Sequence, residues 1–268
     1  MRRDQMSEIT ILAGTNRSGK REGFNQIIIR PGDTLSIVGP TGSGKSAFIN
    51  DIEVLAQADT VTGRRILVNG IPPSDEMARD PSKKPIALIT QNTRVIADLD
   101  VSRFLKLHVE ARKQTHIEHL IENTITLANE FTGEEVTGAM SMTALSGGQT
   151  RALLIADAIL VGRTPILLLD EVENAGIFKE RVISCIKECQ KTVVFVTHDP
   201  YLALRTDRRI VMSNGAVVKV LEPRERERTA IARVSEIDDL LWDLRERIRS
   251  GDLIGEEDAT DKEIGVNA

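Results

Sequence analysis

The sequence has few aromatic residues and no long apolar stretch. Phe, Trp and Tyr make up 3% of its 268 residues, and no run approaches the roughly eighteen apolar residues of a membrane-spanning helix. Residues 1–7 are polar and do not resemble a signal peptide. The sequence therefore predicts a soluble, cytoplasmic protein. Any position at the inner face of a membrane would require a separate partner.

Excess basic charge and abundant cysteine are also lacking. The 35 Lys and Arg residues are outnumbered by 40 Asp and Glu, so the net charge is −5. Because proteins that grip nucleic acid usually carry a basic surface, we expect no nucleic acid partner. The only two cysteines are Cys185 and Cys189, spaced i, i+4. They fit half of a metal site shared across an interface, but two buried thiols in a reducing cytoplasm fit better.

A glycine-rich segment, residues 39–46, follows the apolar run 34–38. It matches the pattern G-x-x-x-x-G-K-[ST] of phosphate-binding loops, in which backbone N–H groups turn inward around an anion. We expect Lys45 to reach the β- and γ-phosphates of a nucleotide and Ser46 to bind Mg²⁺. The predicted nucleotide-binding residues here are Gly39, Pro40, Thr41, Gly42, Ser43, Gly44, Lys45, Ser46 and Ala47.

Two carboxylates end a second apolar run, residues 165–171. An apolar strand that ends in Asp170 suits a Mg²⁺ ligand, direct or through water, at the carboxyl edge of a parallel sheet. Glu171 then remains to act as the general base on the attacking water.

Two further strand-like runs, 192–197 and 86–90, are followed by His198 and Gln91. A histidine there can contact the γ-phosphate and orient water, whereas a lone histidine is more often an ordinary surface residue. Gln91 can bind Mg²⁺ or the water, although its position is equally typical of a solvated loop. The predicted catalytic residues are Glu171, His198 and Gln91, and the predicted metal ligands are Ser46, Gln91 and Asp170.

Residues 145–149 read Leu-Ser-Gly-Gly-Gln and precede an apolar helical stretch, 150–160. With the phosphate loop, Gln91, the acidic strand and His198 in this order, the chain resembles the nucleotide-binding domain of ATP-binding cassette (ABC) ATPases. The motifs span residues 39–198, and the flanking strands extend the resemblance to about 8–221. The resemblance implies Mg²⁺-dependent ATP hydrolysis by a head-to-tail dimer with two ATP molecules at its interface.

In such a dimer, the signature segment of one subunit would face the γ-phosphate held by Lys45 of the other. A helix N-terminus aimed at an anion agrees with this arrangement. The signature residues expected to contact ATP are Ser146, Gly147, Gly148 and Gln149. The resemblance also implies that residues 92–108 contact whatever the ATPase moves.

The expected fold class is α/β. It comprises a P-loop NTPase core with a mostly parallel sheet, an antiparallel β flap, an inserted α-helical subdomain and a C-terminal helical extension. The flap is predicted from runs at 9–12, 26–29 and 65–68, and the helical subdomain from apolar residues recurring every four positions. The predicted boundaries are 1–91 and 144–221 for the core, 92–143 for the subdomain and 222–268 for the extension.

Within the extension, residues 222–230 are charged and predict a solvated linker. An apolar stripe then predicts a helix, formed by Ile231, Val234, Ile237, Leu241, Leu244 and Ile248. The favoured interpretation is a helix docked on its own domain, and the alternative is a helix that pairs with its copy or with a partner. The acidic tail from Gly255 is predicted to be disordered.

Two segments depart from the ABC pattern. Residues 172–177, after the predicted catalytic Glu171, do not match the usual ABC loop, and Ile177 stands where an Asp is expected. The usual communication between the two ATP sites therefore does not carry over to this chain from the resemblance. Residues 13–23 contain no aromatic residue to stack on adenine, and Phe24 better fits the start of the next strand.

Two biological roles follow from the resemblance. The first is the motor subunit of a membrane transporter, working with separate membrane subunits and a second ABC subunit, most simply its own copy. The alternative is a soluble ATPase that remodels or activates a partner enzyme or metallocofactor system. The altered loop, the missing adenine-stacking aromatic and the C-terminal helix favour the alternative. Family frequency and the ordinary-looking helical subdomain favour the transporter, which is the role that we predict.

Overall fold

Strands with almost continuously apolar sequences form the central sheet. The computed structural model describes residues 8–80, 83–93, 95–162, 164–171 and 176–255. Six of its strands lie in the order β5-β6-β7-β3-β8-β9, and all neighbours pair in parallel except β8 and β9. This confirms the mostly parallel sheet. The strands are β3 (Thr34–Val38), β5 (Ile86–Thr90), β6 (Ile166–Asp170), β7 (Thr192–Val196), β8 (Arg208–Ser213) and β9 (Ala216–Leu221).

Three short strands form the second sheet, which is the predicted flap. They are β1 (Ile9–Leu12), β2 (Gln26–Ile29) and β4 (Arg65–Val68), paired antiparallel in the order β2-β1-β4. Their buried isoleucines belong to the same apolar cluster as Phe48 and one face of the central sheet. The flap therefore packs over the helix that follows the phosphate loop.

The helices divide between the two faces of the central sheet. Along β6, Leu168 belongs to the cluster below the flap, whereas Leu167 and Leu169 pack with the apolar residues of the helical segment. This alternation follows from the two-residue period of a strand. The helices are α1 (Lys45–Glu53), α2 (Asp75–Arg79), α3 (Val101–Ala111), α4 (Ile117–Phe131), α5 (Gly147–Leu160), α6 (Lys179–Glu188), α7 (Pro200–Arg205) and α8 (Glu225–Ser250).

Helix α8 begins earlier than the sequence predicted. It starts at Glu225, inside the expected linker, because acidic residues in its first turn favour the helix dipole and Glu227 pairs with Arg209 of β8. It ends at Ser250, and Gly251 follows in the left-handed conformation. The acidic tail predicted to be disordered lies, beyond residue 255, outside the described residues.

The favoured interpretation of α8, a helix docked on its own domain, is confirmed. Val234 packs against the core, and the ring of Trp242 lies 5.7 Å from that of Phe178. The predicted apolar stripe is nevertheless divided, since Ile237 and Leu241 remain 46% and 45% exposed. Within the described part of the chain, no helix is both long and apolar enough to cross a membrane.

Candidate functional site

The phosphate loop lies between the end of β3 and the start of α1. Gly44 caps α1 at φ 100°, a left-handed conformation that a side chain would strain. A Cβ on Gly39 would lie 2.4 Å from the carbonyl oxygen of Met212, and one on Gly44 would lie 2.9 Å from the Cα of Gly215. The strands therefore approach this loop too closely for any residue but glycine at these two positions.

The polar groups of this loop fit a bound phosphate. Lys45 is 6% exposed, and its Nζ donates to the carbonyl oxygens of Gly39 at 2.8 Å and Pro40 at 3.3 Å. The hydroxyl of Ser43 is buried and has no partner among the described residues. Because an unsatisfied buried hydroxyl is costly, a phosphate oxygen is a suitable partner for it. The cradle and this free hydroxyl support the predicted nucleotide site.

The predicted catalytic residues follow neighbouring strands at one edge of the sheet. Asp170 ends β6, and Glu171 follows it at φ 51° with its N–H donated to Val196 at 2.9 Å. The Nε2 of His198, just beyond β7, lies 3.3 Å from Oε1 of Glu171. Gln91 follows β5, whose last residue pairs with Asp170. The fold thus brings Gln91, Asp170, Glu171 and His198 to the same edge as the phosphate loop.

The signature segment forms the N-terminus of α5 and lies against the chain after α4. Helix α5 starts at Gly147, and Ser146 caps it in a capping box with Gln149. The Ser146 hydroxyl donates to Oε2 of Glu134 at 2.6 Å, and Gln149 Nε2 donates to the Glu135 carbonyl at 2.8 Å. These signature groups therefore contact the helical segment of their own chain.

Comparison with known proteins agrees with this geometry. The family model described as ABC transporter matches residues 25–174. An uncharacterized ABC transporter ATP-binding protein of Methanocaldococcus jannaschii is 44% identical over 254 residues, covering 95% of this chain and 97% of that protein. The chain belongs to the ABC transporter ATPase family. It is therefore an ATP-binding and ATP-hydrolysing enzyme.

More distant relatives of this ABC ATPase share its core. The sulfate/thiosulfate import ATP-binding protein of Synechococcus elongatus is 31% identical over 208 residues, 74% of this chain but only 57% of that longer protein. An ATP-binding cassette whose dimeric structure holds ADP and Pi after hydrolysis is 26% identical, with a TM-score of 0.64, and the match covers 82% of this chain and 99% of that one.

Sequence patterns missed one polar residue of the ABC ATPase, Arg151. It is 9% exposed on α5, and its Nε and Nη1 have no partner within the described part of the chain. Burial lowers the pKa of its guanidinium. Arg151 and Gln91 line a cavity of about 450 Å³, together with Asn92, Thr93, Val95, Ile96, Met142, Thr143, Leu145, Gly147 and Thr150. No motif signals this residue, because its burial depends on how α5 packs against the segment after β5.

The departures from the ABC pattern have different outcomes. Residues 172–175 lie outside the described residues. Ile177 is 3% exposed and bridges to Thr132, so it serves the core. Phe24 packs partly buried against the flap cluster.

The interpretation of the cysteines as two buried thiols is wrong for one of them. Cys185 is buried, and burial first of all raises the pKa of its thiol to about 12. Cys189 is exposed, because it lies just beyond the last turn of α6. Among the described residues, no group of three or more His, Cys, Asp or Glu could hold a metal ion.

Proposed function

We propose that this ABC ATPase energises a membrane transporter whose membrane-spanning part is formed by separate subunits. Two copies of the chain would bind two ATP molecules with Mg²⁺ between them, at the cytoplasmic face of the membrane. The relative from Synechococcus elongatus is an import ATP-binding protein, which supports transport over the alternative of a soluble remodelling ATPase. The single observation that carries ATP turnover is the Glu171–His198 pair beside a complete phosphate loop.

The roles of the site residues follow from their positions. Lys45 would bind the β- and γ-phosphates once its Nζ leaves the carbonyl oxygens of Gly39 and Pro40. Ser46, Asp170 and Gln91 supply the hydroxyl, carboxylate and amide oxygens that Mg²⁺ prefers. When bound, Mg²⁺ would neutralise charge on the phosphate oxygens.

The hydrolytic step would use the pair at the end of β6 and β7. Glu171 would accept a proton from water as the water oxygen bonds to the γ-phosphorus and the bond from phosphorus to the bridging β–γ oxygen breaks. His198, 3.3 Å from Glu171, would orient the water and the γ-phosphate. The side chain of His198 is 48% exposed, and that of Glu171 is 30% exposed. A second subunit would therefore be needed to exclude bulk water.

The signature segment would complete the site from the second subunit. The N–H groups of Gly147 and Gly148 lie at the N-terminus of the fourteen-residue helix α5, where an anion is stabilised. Ser146 would exchange its contact with Glu134 for one with the γ-phosphate of the partner. This exchange would couple ATP binding to dimer closure.

The membrane subunit would dock beside the cavity lined by Arg151. Residues 92–108 include one side of this cavity, and Ile96 is 95% exposed there. Two buried guanidinium nitrogens of Arg151 have no partner within the described ranges, which favours an acidic group on the docking protein. Gln91 lines the same cavity and follows β5, so docking would act directly on the catalytic edge.

The variant Glu171→Gln tests this function. We expect it to bind ATP, to lose at least about 10²-fold in turnover, and to remain dimeric in ATP. Affinity purification of the full chain from its host, with detergent and ATP, followed by mass spectrometry identifies the partner. A polytopic membrane protein in stoichiometric amount is the expected result.

Lys45→Ala is the matched control, because it should neither bind ATP nor form the ATP-dependent dimer. Normal hydrolysis by Glu171→Gln would contradict the general-base role. A soluble enzyme as the stoichiometric partner would overturn the transporter role while leaving the ATPase mechanism intact.

A further inference from the structure

Helix α8 is linked by ion pairs to a residue beside the catalytic edge of the sheet, and the cation that joins them is the mostly buried Lys179. Lys179, the first residue of α6, places its Nζ 2.6 Å from Oδ2 of Asp199 and 2.6 Å from Oδ2 of Asp238 on α8. The three side chains are 13%, 12% and 28% exposed. Because water is largely excluded from them, these ion pairs are stronger than pairs on an open surface.

The first carboxylate belongs to the residue after His198. Asp199 caps α7 by accepting the Leu202 N–H at 3.0 Å on Oδ1, and its own N–H donates to the Thr197 hydroxyl at 2.9 Å. Its remaining oxygen, Oδ2, accepts from Lys179 at 2.6 Å. The backbone beside His198 is thus held by the hydrogen bond from the Asp199 N–H to Thr197, and the Asp199 side chain is held by Lys179.

The segment before Lys179 is also fixed from α8. The rings of Phe178 and Trp242 lie 5.7 Å apart, and the Phe178 N–H donates to the Phe131 carbonyl at 2.8 Å. The ring of Tyr201 lies 5.9 Å from the Lys179 ammonium. Lys179 therefore has little freedom to follow Asp199 if Asp238 is removed.

The two carboxylates keep the Lys179 ammonium charged. Burial alone would lower the pKa of Lys179, but its hydrogen bonds to Asp199 and Asp238 outweigh burial and raise it. Both carboxylates accept hydrogen bonds from the same ammonium. A change at Asp238 therefore alters the ion pair between Lys179 and Asp199.

We propose that Lys179 and Asp238 are positioning residues for His198, through which α8 sets the geometry of the catalytic edge. They act through Asp199 and do not touch the nucleotide. This inference rests on the role proposed for His198. It gives the C-terminal helix a function in turnover, so a partner that displaced α8 would slow hydrolysis without displacing ATP.

The test compares Asp238→Asn with Asp239→Asn in the full chain. Asp239 is the exposed neighbour on α8. It lines the same cavity as Lys179 and Asp238, between α6 and α8, but no hydrogen bond joins it to Lys179 among the described residues. We expect Asp238→Asn to lower kcat for ATP about 3- to 10-fold, because small displacements of catalytic groups are costly, with KM within about twofold. Asp239→Asn should match the wild type, and Asp238→Glu should recover most of the rate.

A double-mutant cycle separates positioning from loss of structure. In a His198→Ala background, Asp238→Asn should leave the residual rate unchanged, because its effect passes through His198. The same proportional loss in both backgrounds would overturn the coupling and leave the role of His198 standing. Wild-type turnover by His198→Ala would overturn that role and the coupling with it. Equal effects of the Asp238 and Asp239 variants would also overturn the inference.

Discussion

Two buried arginines lie on the two sides of the ATPase, and they differ in how the chain compensates them. Arg64, in the flap, is fully buried, with Nη2 2.7 Å from Glu22 and Nη1 3.0 Å from Asp51. Its guanidinium also lies 4.8 Å from the centre of the Phe48 ring. Arg151, beside the signature segment, is almost as buried, yet its Nε and Nη1 have no partner in the described ranges.

The difference shows on which side of the molecule the buried charge is paired within one chain. Arg64 also donates to the Gly215 carbonyl at 3.0 Å, and Gly215 packs against Gly44 of the phosphate loop. The phosphate loop is therefore braced by ion pairs within one chain. On the signature side, two buried nitrogens of the Arg151 guanidinium lack a partner among the described residues, which lowers stability, so an anion from a ligand or partner would suit this position.

The largest expected effect comes from breaking the compensated side. Arg64→Met leaves the carboxylates of Glu22 and Asp51 buried without their cation, so we expect a loss of about 3–5 kcal/mol in the free energy of unfolding. Urea denaturation measures it. Arg65→Met, at the exposed neighbouring position of β4, is the matched control and should change stability by less than about 0.5 kcal/mol.

This loss should depend on pH. Burial alone would raise the pKa of Glu22, but hydrogen bonds from Arg64 and from the Val217 N–H outweigh it, so the pKa is lowered from 4.5. The stabilisation is therefore fully present above pH 4.5 and is lost as the pH falls through the lower folded-state value. A cost of Arg64→Met that did not shrink in acid would show that the network is not electrostatic.

Replacing Arg151 by methionine should change the free energy of unfolding in the opposite direction. Arg151→Met removes a largely buried charge that has no partner in the part of the chain that the structure describes, and the methionine side chain keeps most of the packing of the arginine stem, so we expect a gain of about 1–3 kcal/mol in stability. Thermal unfolding of the isolated chain measures it. Arg103→Met, on an exposed position of α3, should leave stability unchanged. Destabilisation by Arg151→Met would mean that the chain itself compensates this charge.

The same contrast separates what the sequence could predict from what it could not. The strands, the phosphate loop and the positions of Asp170, Glu171 and His198 follow from local patterns, because a residue at the end of an apolar run, or just after it, lies at the end of that strand. Arg64 and Glu22 are 42 residues apart, and Lys179 and Asp238 are 59 apart. Such pairs depend on the packing of distant elements, which periodicity does not encode.

The start of α8 illustrates a second reason. Its first turn, Glu225 to Arg228, has no apolar residue, so the sequence predicts a linker there. In the structure, Glu227 pairs with Arg209, which stabilises a helical turn that has no apolar residue to bury. A charged segment thus predicts a solvated linker as long as its ion-pair partner elsewhere in the fold is unknown.

The smallest expected effect concerns the exposed contact on the signature side. Glu134 accepts a hydrogen bond from the Ser146 hydroxyl on its carboxylate, which would repel an incoming γ-phosphate. Among the residues that the structure describes, the partners of the Lys45 ammonium are neutral carbonyls. We therefore expect Glu134→Gln to tighten the ATP-dependent dimer of the Glu171→Gln variant about 3- to 10-fold, since it removes one like charge. Analytical ultracentrifugation at fixed ATP measures the dimer dissociation constant.

Glu135→Gln is the control for this comparison. Glu135 is exposed beside Glu134, and its described hydrogen bond to the signature segment is made by its backbone carbonyl, which accepts from Gln149. Its substitution should leave the dimer dissociation constant within about twofold, because a charge that faces solvent is screened by salt. Equal tightening by both variants would indicate a general effect of net charge. Weaker dimers from Glu134→Gln would show instead that its carboxylate supports the closed signature.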